Sequence, residues 1–244
     1  MERPKTIIHI LSALDGKITG PFMGLPQARE TSEEYGRIRA AYQADAWLYG
    51  TVTTKEFTGF RRPVLDEGKG SFPEGDYIAE KNAALYYVSA DALGEIGWES
   101  GTFQKAGRPD MHVIEVLTEQ APGAYRAFLR ERGVSYIVAG RDSLDCRTAS
   151  RKLYQLFGIR TLLICGGGGI NWTFLQQGVV DEISLVIAPA ADGECSTVTV
   201  FEKSPLLTDS RPMGFHLKTA ERIGKDGVHL LYTVDQRDGA AAQP

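Results

Sequence analysis

The chain has 244 residues, of which 43% are hydrophobic and 24% charged, and its formal net charge at pH 7 is −4. This length and composition are typical of a globular protein that buries a sizeable core without disulfides or metal ions. Because acidic and basic residues are scattered and no basic run occurs, we expect no nucleic-acid partner. No apolar run reaches the roughly 18 residues of a membrane-spanning helix, so we expect no membrane partner.

The cysteines and histidines favour a reducing compartment and predict no metal site. Three cysteines, Cys146, Cys165 and Cys195, lie far apart and form no C-x-x-C pair. A sparse, odd set of this kind is typical of a cytoplasmic protein. The four histidines are equally scattered, and we interpret His9 and His229 as imidazoles of the core or of a sheet face. The N-terminal segment lacks a signal-peptide cleavage site, which also favours the cytoplasm.

The first part of the chain predicts two buried strands with a helix between them. Lys5–Leu14 is β-branched and almost continuously apolar, which indicates a buried strand. A helix with Thr31 or Ser32 as its N-cap is expected to run to about Gln43. Asp45–Gly50 is a second short apolar segment that ends at a glycine, and we predict a buried strand there.

After a predicted surface loop at residues 60–75, strands and helices alternate. Turn residues and apolar periodicity predict both kinds of element. The predicted strands are Ala84–Ala90, Met111–Leu117, Val134–Gly140, Arg160–Cys165 and Glu182–Pro189, and the predicted helices are Pro122–Arg132, Arg147–Phe157 and Ile170–Gly178. The chain closes with two strand-like runs, Met213–Ile223 and Gly227–Val234, joined by a turn-rich segment that predicts a hairpin.

This order of elements predicts an α/β protein. Alternating strands and helices form βαβ units, which give a mostly parallel sheet covered by helices on both faces. The final hairpin adds antiparallel strands at one edge. No low-complexity linker divides the chain, so we predict a single domain over residues 1–236 and a disordered tail at 237–244.

Four consecutive glycines, Gly166 to Gly169, follow the predicted strand Arg160–Cys165. A flexible linker is normally flanked by polar, Ser-rich sequence, whereas here an apolar strand enters and a helix begins at once. Glycines at such a junction let backbone N–H groups approach a phosphate at a helix N-terminus. The segment does not fit the P-loop, and the G-x-G-x-x-G fingerprint fails because Asn171 occupies its last position. A diphosphate cradle and a plain tight turn both remain open.

Three segments taken in order carry a family resemblance. They are "SALDGKITG" from Ser12, "IRAAYQADAWLYGTVT" from Ile38, and "GGGGINWTFLQQGVVDEISLVIAP" from Gly166. The set resembles the reductase domain of bacterial riboflavin biosynthesis, a member of the dihydrofolate-reductase-like superfamily. The resemblance extends over nearly the whole chain. It implies a three-layer dihydrofolate-reductase-like fold with a mostly parallel sheet and an antiparallel C-terminal hairpin.

The resemblance also implies NADPH-dependent hydride transfer to an imine or sugar carbon of a small, possibly phosphorylated substrate. Arg39, which precedes Thr51 by twelve positions, corresponds to the family's substrate-phosphate arginine. The loops after the middle strands correspond to the region of the cofactor's 2′-phosphate. The residues implied in cofactor binding are Leu11, Ile18, Gly50, Thr51, Ser89, Gly140, Arg141, Gly166, Gly167, Gly168, Gly169 and Ile170.

Several features of the reaction stay open in the sequence. Asp15 and Lys17 are weak candidates for the proton donor, with water as the alternative. The chain has Lys55 where the family usually has an aspartate, and Cys165 where it commonly has a glutamate. A pterin reductase, with a carboxylate on the first helix, and a non-catalytic nucleotide-binding module are the alternative functions. The family resemblance further implies a homodimer.

Overall fold

The computed structural model describes residues 2–66, 68, 72, 74–204 and 210–235. The predicted disordered tail at 237–244 lies outside these residues, and the single-domain interpretation of residues 1–236 stays a prediction. Among the helices of the described residues, none is both long and apolar enough to cross a membrane.

Strands and helices alternate along most of the chain, as predicted, and a short 3₁₀ helix at Pro21–Gly24 precedes the first α-helix. The elements, in chain order, are β1 (Lys5–Ser12), α1 (Pro26–Ala41), β2 (Ala46–Gly50), α2 (Thr51–Phe57), β3 (Tyr86–Ala90), β4 (Thr102–Phe103), β5 (Met111–Leu117), α3 (Gly123–Glu131), β6 (Ser135–Val138), α4 (Cys146–Phe157), β7 (Thr161–Ile164), α5 (Gly168–Gln176), β8 (Glu182–Ile187), β9 (Phe215–Ile223) and β10 (Gly227–Val234).

One ten-stranded sheet organises the protein. Its strand order is β4-β5-β3-β2-β7-β1-β8-β10-β9, and β6 pairs with β5. In the order of the sheet, all neighbouring strands in the series β6-β5-β3-β2-β7-β1-β8 are parallel. Strand β10 pairs antiparallel with both β8 and β9. The predicted α/β fold, with its mostly parallel sheet and antiparallel C-terminal hairpin, is confirmed. A second antiparallel pair, β4 with β5, was not predicted because β4 has only two residues.

Helices cover both faces of the sheet and make three layers. On one face, α4 and α5 pack over the strands through residues such as Leu153 and Phe174. On the other face, α3 packs through Tyr125 and Phe128, and α1 packs near β1 and β8. Because strand side chains alternate between the faces, adjacent residues of one strand serve different layers: Ile8 belongs to the first cluster and Ile7 to the second.

Helix starts are where the sequence prediction needed most correction. Helix α1 begins at Pro26, because proline suits the first helical turn. Its N-cap, Leu25, lies six residues before Thr31 and seven before Ser32, the two predicted caps. Helix α5 begins at Gly168, inside the glycine run, and not at Ile170. Helix α2 was not predicted at all. Helix α4 follows the prediction closely, because Asp145 caps its N-terminus and Gly158 ends it in the left-handed conformation.

Candidate active site

A cleft of about 730 Å³ opens at the carboxyl ends of β1, β2 and β7, the central strands of the sheet. Ligands of open α/β sheets bind at this edge, outside the ends of the parallel strands. Leu11 lines the cleft at the end of β1, Gly50 at the end of β2, and Gly166 follows β7. The walls of the cleft differ in chemistry, and we describe them in turn as the glycine side and the aromatic side.

The glycine side consists of Thr51, Gly166–Ile170, Thr173 and Gln177, together with Ser143 and Leu144. It lies toward the sheet face that α4 and α5 cover, because Ile170 and Leu144 pack against that core. Backbone hydrogen bonds tie it to its neighbours: the Gly50 N–H donates to the Gly166 carbonyl at 3.1 Å. The Thr51 hydroxyl donates to the Ala90 carbonyl at 2.8 Å, so it bridges to β3 and does not cap α2.

The four glycines have different local requirements. Gly166 has φ +117°, a value that L side chains rarely adopt. A Cβ atom at Gly168 would overlap the carbonyl oxygen of Thr199, so this position needs glycine for close packing. In contrast, among the described residues a Cβ at Gly167 would have only the Thr53 hydroxyl nearby, at 3.9 Å, and one at Gly169 would meet nothing within 4 Å. Two of the four glycines therefore leave open space beside the cleft that the fold itself does not require.

The first turn of α5 faces the cleft with backbone N–H groups that have no acceptor within the part of the chain that the structure describes. The initial N–H groups of any α-helix have no carbonyl partner within the helix, and the aligned peptide dipoles add partial positive charge there. In α5 these groups belong to Gly168, Gly169 and Ile170, all of which line the cleft. Backbone N–H groups at a helix N-terminus suit a phosphate or another anion.

The aromatic side consists of Tyr35, Tyr49, Phe57, Cys165 and Arg108. It lies on the opposite face of the sheet, since Tyr49 and Cys165 belong to the second core cluster and Phe57 packs against it. The rings of Tyr49 and Phe57 meet edge to face, with centroids 5.3 Å apart. Arg108 donates from Nη1 to the Tyr49 hydroxyl at 2.7 Å, and its guanidinium lies 4.7 Å from the Phe57 centroid.

The floor of the aromatic side is neutral. Burial raises the pKa of Cys165, and the nearby Arg39 charge opposes that change only partly. Burial likewise raises the pKa values of Tyr35 and Tyr49. The thiol and both phenols therefore stay protonated at neutral pH, and the positive charge on this side comes from arginine.

A buried histidine supports Tyr35 from behind. The His9 and Tyr35 rings stack with centroids 4.2 Å apart. His9 Nε2 lies 3.0 Å from the Tyr35 carbonyl, which can only accept, so Nε2 carries the proton and Nδ1 accepts from Ser184, 2.9 Å away. Ser184 in turn accepts from His229 at 2.8 Å. Burial lowers the pKa of His9 to about 3, which keeps the ring neutral.

The cleft brings together nine of the twelve residues predicted to bind the cofactor. They come from three segments that are far apart in the sequence: Leu11 with Ile18, Gly50 with Thr51, and Gly166–Ile170. Ser89, Gly140 and Arg141 are not among the cleft residues, and neither are Arg39, Asp15 and Lys17.

Ser89 belongs to a buried polar cluster on the aromatic-side face. It lies opposite Glu115 in the register of β3 and β5, and its hydroxyl has no hydrogen-bond partner within the described residues. Glu115 accepts from the Trp98 indole N–H. Asp91 accepts from the backbone N–H groups of Glu95 and Ile96. Burial raises the pKa of Glu115 well above its usual value and that of Asp91 to about 6.

Arg39 and the two candidate proton donors are not among the cleft residues, although the Arg39 guanidinium lies 5.5 Å from the ring centroid of Tyr35, which is one. The Arg39 guanidinium lies over the Trp47 ring, 4.2 Å from its centroid, and its Nε has no partner within the described part of the chain. Asp15 accepts from the Asp192 and Gly193 N–H groups at 3.0 and 2.8 Å. Lys17 is buried and donates to the Thr197 carbonyl at 2.9 Å. Asp15 and Lys17 thus fasten one loop to another.

Gly140 and Arg141 lie in the loop before α4. A Cβ atom at Gly140 would overlap the Ser143 carbonyl, and its φ is +107°, so the loop needs glycine there. The Arg141 side chain is 81% exposed and faces only Asp142, at 3.9 Å. Ser143 and Leu144, the next residues of this loop, do line the cleft.

The sequence prediction missed the aromatic side almost entirely. Arg108 lies in a segment, "QKAGRPD", that resembles an ordinary charged turn between strands. Tyr35, Tyr49 and Phe57 lie in apparent helix or strand contexts, where an aromatic residue is most often part of the core. The one available signal was the position of Tyr49 at the carboxyl end of a predicted parallel strand, next to Gly50.

Comparison with known proteins identifies related sequences. The sequence profile of the RibD C-terminal domain matches residues 106–229. The 2,5-diamino-6-ribosylamino-4(3H)-pyrimidinone 5′-phosphate reductase of Aquifex aeolicus is 38% identical over 80 residues, which cover 33% of this chain and 35% of that protein. The protein of the same name from Methanothermobacter thermautotrophicus is 30% identical over 118 residues, which cover 48% of this chain and 53% of that protein. The matches thus span about a third to a half of these curated relatives.

Solved structures share the fold over nearly the whole chain. A pyrimidine reductase-like protein from Corynebacterium diphtheriae superposes with a TM-score of 0.67 and 18% identity, covering 95% of this chain and 92% of that one. A riboflavin biosynthesis reductase from Saccharomyces cerevisiae gives a TM-score of 0.63 at 17% identity, covering 96% and 90%. Acinetobacter baumannii RibD gives a TM-score of 0.61 at 19% identity, and the superposition covers 96% of this chain and 58% of the RibD chain.

Proposed function

The chain belongs to the RibD C-terminal domain family, and from this premise we propose that it is an NADPH-dependent reductase of riboflavin biosynthesis. Its substrate would be a ribosylaminopyrimidine 5′-phosphate, the class of molecule named for the curated relatives. The observation that carries the proposal is the pair of contrasting walls in one cleft. One wall has a backbone fit for a diphosphate, and the other has aromatic and guanidinium groups fit for a polar ring and a phosphate.

The glycine side fits a dinucleotide. Gly167 and Gly169 leave open space that side chains would fill, and the first turn of α5 presents unpaired N–H groups to the same space. We assign the diphosphate to Gly166–Ile170 and Thr51. Leu11 and Ile18, both in the cleft wall, would contact the nicotinamide. The assignments of Ser89, Gly140 and Arg141 to the cofactor stay predictions.

When bound, NADPH supplies a hydride from C4 of its nicotinamide. In the proposed reaction that hydride adds to the sugar carbon of an open-chain imine, the C=N double bond becomes a single bond, and the nitrogen takes up one proton. The protein contributes by aligning the two reactants and excluding water from the apolar wall. Because Asp15 and Lys17 are engaged outside the cleft, we propose that water reaching the nitrogen through the open side of the cleft supplies the proton.

A pterin reductase is the alternative that the structure supports less. It would need a carboxylate from the first helix to pair with the pterin ring. Among the acidic residues of α1, Glu30 accepts from the Lys225 N–H, Glu34 pairs with Arg37, and Glu33 is exposed. None of the three lines the cleft, whereas Ser32 does.

Steady-state NADPH oxidation with two acceptors tests the proposal. We expect turnover with 2,5-diamino-6-ribosylamino-4(3H)-pyrimidinone 5′-phosphate and none with dihydrofolate. Turnover of dihydrofolate alone would establish the pterin reductase instead. Tight NADPH binding with no turnover of either acceptor would support a non-catalytic nucleotide-binding module. Sedimentation velocity tests the predicted homodimer separately, and cell fractionation tests the predicted cytoplasmic location.

A further inference from the structure

We propose that Arg108, with Lys105 beside it, forms the anion-binding position that holds the substrate's phosphate. The inference rests on the proposed function for the identity of the ligand, and on the geometry of the aromatic side for its place. Among the described residues that line the cleft, Arg108 is the one arginine. It lies on the face of the sheet opposite α5, and hence away from the backbone donors assigned to the cofactor.

A tight turn between β4 and β5 brings the two cations together. The Arg108 N–H donates to the Lys105 carbonyl at 3.0 Å, which closes a four-residue turn. Gly107, the third residue of the turn, has φ +78°, as a type II turn requires. The first and last residues of a β-turn are neighbours in space, so Lys105 and Arg108 project from the same end of the hairpin.

Both cations meet the same aromatic ring. The Lys105 ammonium lies 3.7 Å from the Phe57 centroid and the Arg108 guanidinium 4.7 Å from it. A cation over an aromatic face is attracted by the ring's negative charge density. These contacts explain how two like charges share a small area, but they leave most of the N–H donors of both groups free.

The pair has an excess of positive charge. Within the described residues, neither Lys105 nor Arg108 has a carboxylate within ion-pair distance. Burial and the Arg108 charge lower the pKa of Lys105. The Glu56 carboxylate acts in the opposite direction, but its effect on this pKa is smaller than either of the other two. Two adjacent cations repel each other, and an anion between them would relieve that repulsion. A planar guanidinium offers a phosphate two parallel donors.

Tyr49 fixes the direction of Arg108 toward the cleft. The hydrogen bond from Nη1 to the Tyr49 hydroxyl uses one donor and leaves Nε and Nη2 for a ligand. Arg39 differs, because it is not among the cleft residues: its guanidinium lies 4.2 Å from the Trp47 centroid and 5.5 Å from the centroid of Tyr35, a residue of the aromatic side. Lys203 is the other cation that lines the cleft. The preceding residue, Glu202, donates its backbone N–H to the Gly168 carbonyl, so Lys203 lies beside the glycine side.

Substrates with and without the phosphate separate recognition from structure. For Arg108→Gln we expect KM for the 5′-phosphate substrate to rise at least about tenfold, as for loss of a charge-assisted bidentate contact. KM for the dephosphorylated nucleoside should not change. The matched control is Arg132→Gln, which removes an arginine stacked 3.7 Å from the Phe128 ring, away from the cleft. Equal effects of Arg108→Gln on both substrates would overturn the proposal.

A binding measurement keeps the inference testable if no turnover is found. Phenylglyoxal modifies arginine side chains. Mass spectrometry of the wild-type protein measures the rate of modification for each arginine-containing peptide. We expect ribose 5-phosphate to slow modification of Arg108 but not of Arg132, and ribose to protect neither. Modification of Arg108 at the same rate with and without ribose 5-phosphate would overturn the phosphate assignment. Protection of Arg108 by NADPH alone would also overturn it, and protection of Arg39 in its place would favour the family-derived residue.

Discussion

The glycine side and the aromatic side of the cleft offer a ligand different chemical groups. The glycine side presents backbone: Gly167 and Gly169 leave space, and the first turn of α5 supplies donors. The aromatic side presents side chains, with Arg108 held by Tyr49 and Phe57. A backbone site needs residues that are adjacent in the chain, whereas a side-chain site can be assembled from distant segments.

This difference decides what each side can tolerate. On the glycine side, added atoms enter the space proposed for the ligand, so small substitutions should have large effects on binding. On the aromatic side, binding depends on a few groups that can be removed one at a time. Behind the aromatic side lies the buried cluster of Asp91, Glu115 and Ser89, and the glycine side has no such carboxylates behind it among the described core residues.

The largest expected effect concerns this cluster and pH. The pKa of Asp91 is about 6 in the folded protein against an ordinary 3.8, so the folded state keeps its proton while the unfolded state loses it. The stabilisation from the proton is complete below about pH 4 and is lost as pH rises through about 6. Over that window Asp91→Asn should gain about 3 kcal/mol of unfolding free energy relative to wild type, from a shift of roughly two pKa units.

Urea unfolding of both proteins as a function of pH measures this gain. Asn can still accept from the Glu95 and Ile96 N–H groups, which keeps the loop contacts. The control is Asp142→Asn, whose carboxylate is 77% exposed and should change nothing. Parallel pH curves for wild type and Asp91→Asn would contradict a raised pKa of the buried Asp91 carboxyl group.

The next effect tests the glycine side. Gly169→Val should weaken NADPH binding at least tenfold, about 1.4 kcal/mol, because its side chain occupies the proposed diphosphate position. The fold should not suffer, since a Cβ at Gly169 meets nothing within 4 Å. Titration calorimetry measures the dissociation constant and thermal unfolding the stability. Gly36→Val is the matched control, because Gly36 also lies in a helix with open space around it but not in the cleft. Equal NADPH affinity in the two variants would refute the cradle.

A smaller effect sharpens the aromatic side. Tyr49→Phe removes the hydroxyl that accepts from Arg108 and leaves the ring and its contact with Phe57. We expect KM for the phosphorylated substrate to rise by a few fold, corresponding to the roughly 1 kcal/mol of one hydrogen bond. NADPH affinity should stay at the wild-type value. A loss of NADPH affinity as large as the change in KM would mean that the two sides are not independent.

The smallest effect concerns Arg141. If it contacts the cofactor's 2′-phosphate, Arg141→Ala should weaken NADPH binding by about 0.5 kcal/mol, because solvent screens the contacts of so exposed a side chain. NADH lacks that phosphate, and its affinity should stay the same. Dissociation constants for both cofactors on wild type and variant decide the matter. Parallel losses, or none, would remove Arg141 from the site.

The fold and the position of the glycine side could be predicted from the sequence for the same physical reason. Strand–helix alternation and a glycine run are local patterns, and they predicted the parallel sheet and the junction of β7 with α5. The start of α5 at Gly168 was missed because glycine has low helix propensity, although it is tolerated in a first turn. The start of α1 at Pro26 was missed because Thr31 offered a better cap by sequence.

The aromatic side could not be predicted because no local pattern specifies it. Tyr35 comes from α1, Tyr49 from β2 and Arg108 from the turn before β5, and only the strand order places them together. Arg108 in particular follows a glycine in a charged loop, where a solvent-exposed role is the usual interpretation. Residues brought together by crossover connections become visible as a site only in three dimensions.

Transfer of deuterium from NADPH that carries deuterium at both C4 positions tests the central claim most directly. The protein is incubated with the labelled cofactor and the ribosylaminopyrimidine 5′-phosphate, and the product is analysed by mass spectrometry and NMR. Our account predicts a product that is one mass unit heavier, with the deuterium on the sugar carbon that was bonded to nitrogen. Oxidation of NADPH without label in the product, or label at a pyrimidine position, would contradict direct hydride transfer across this cleft.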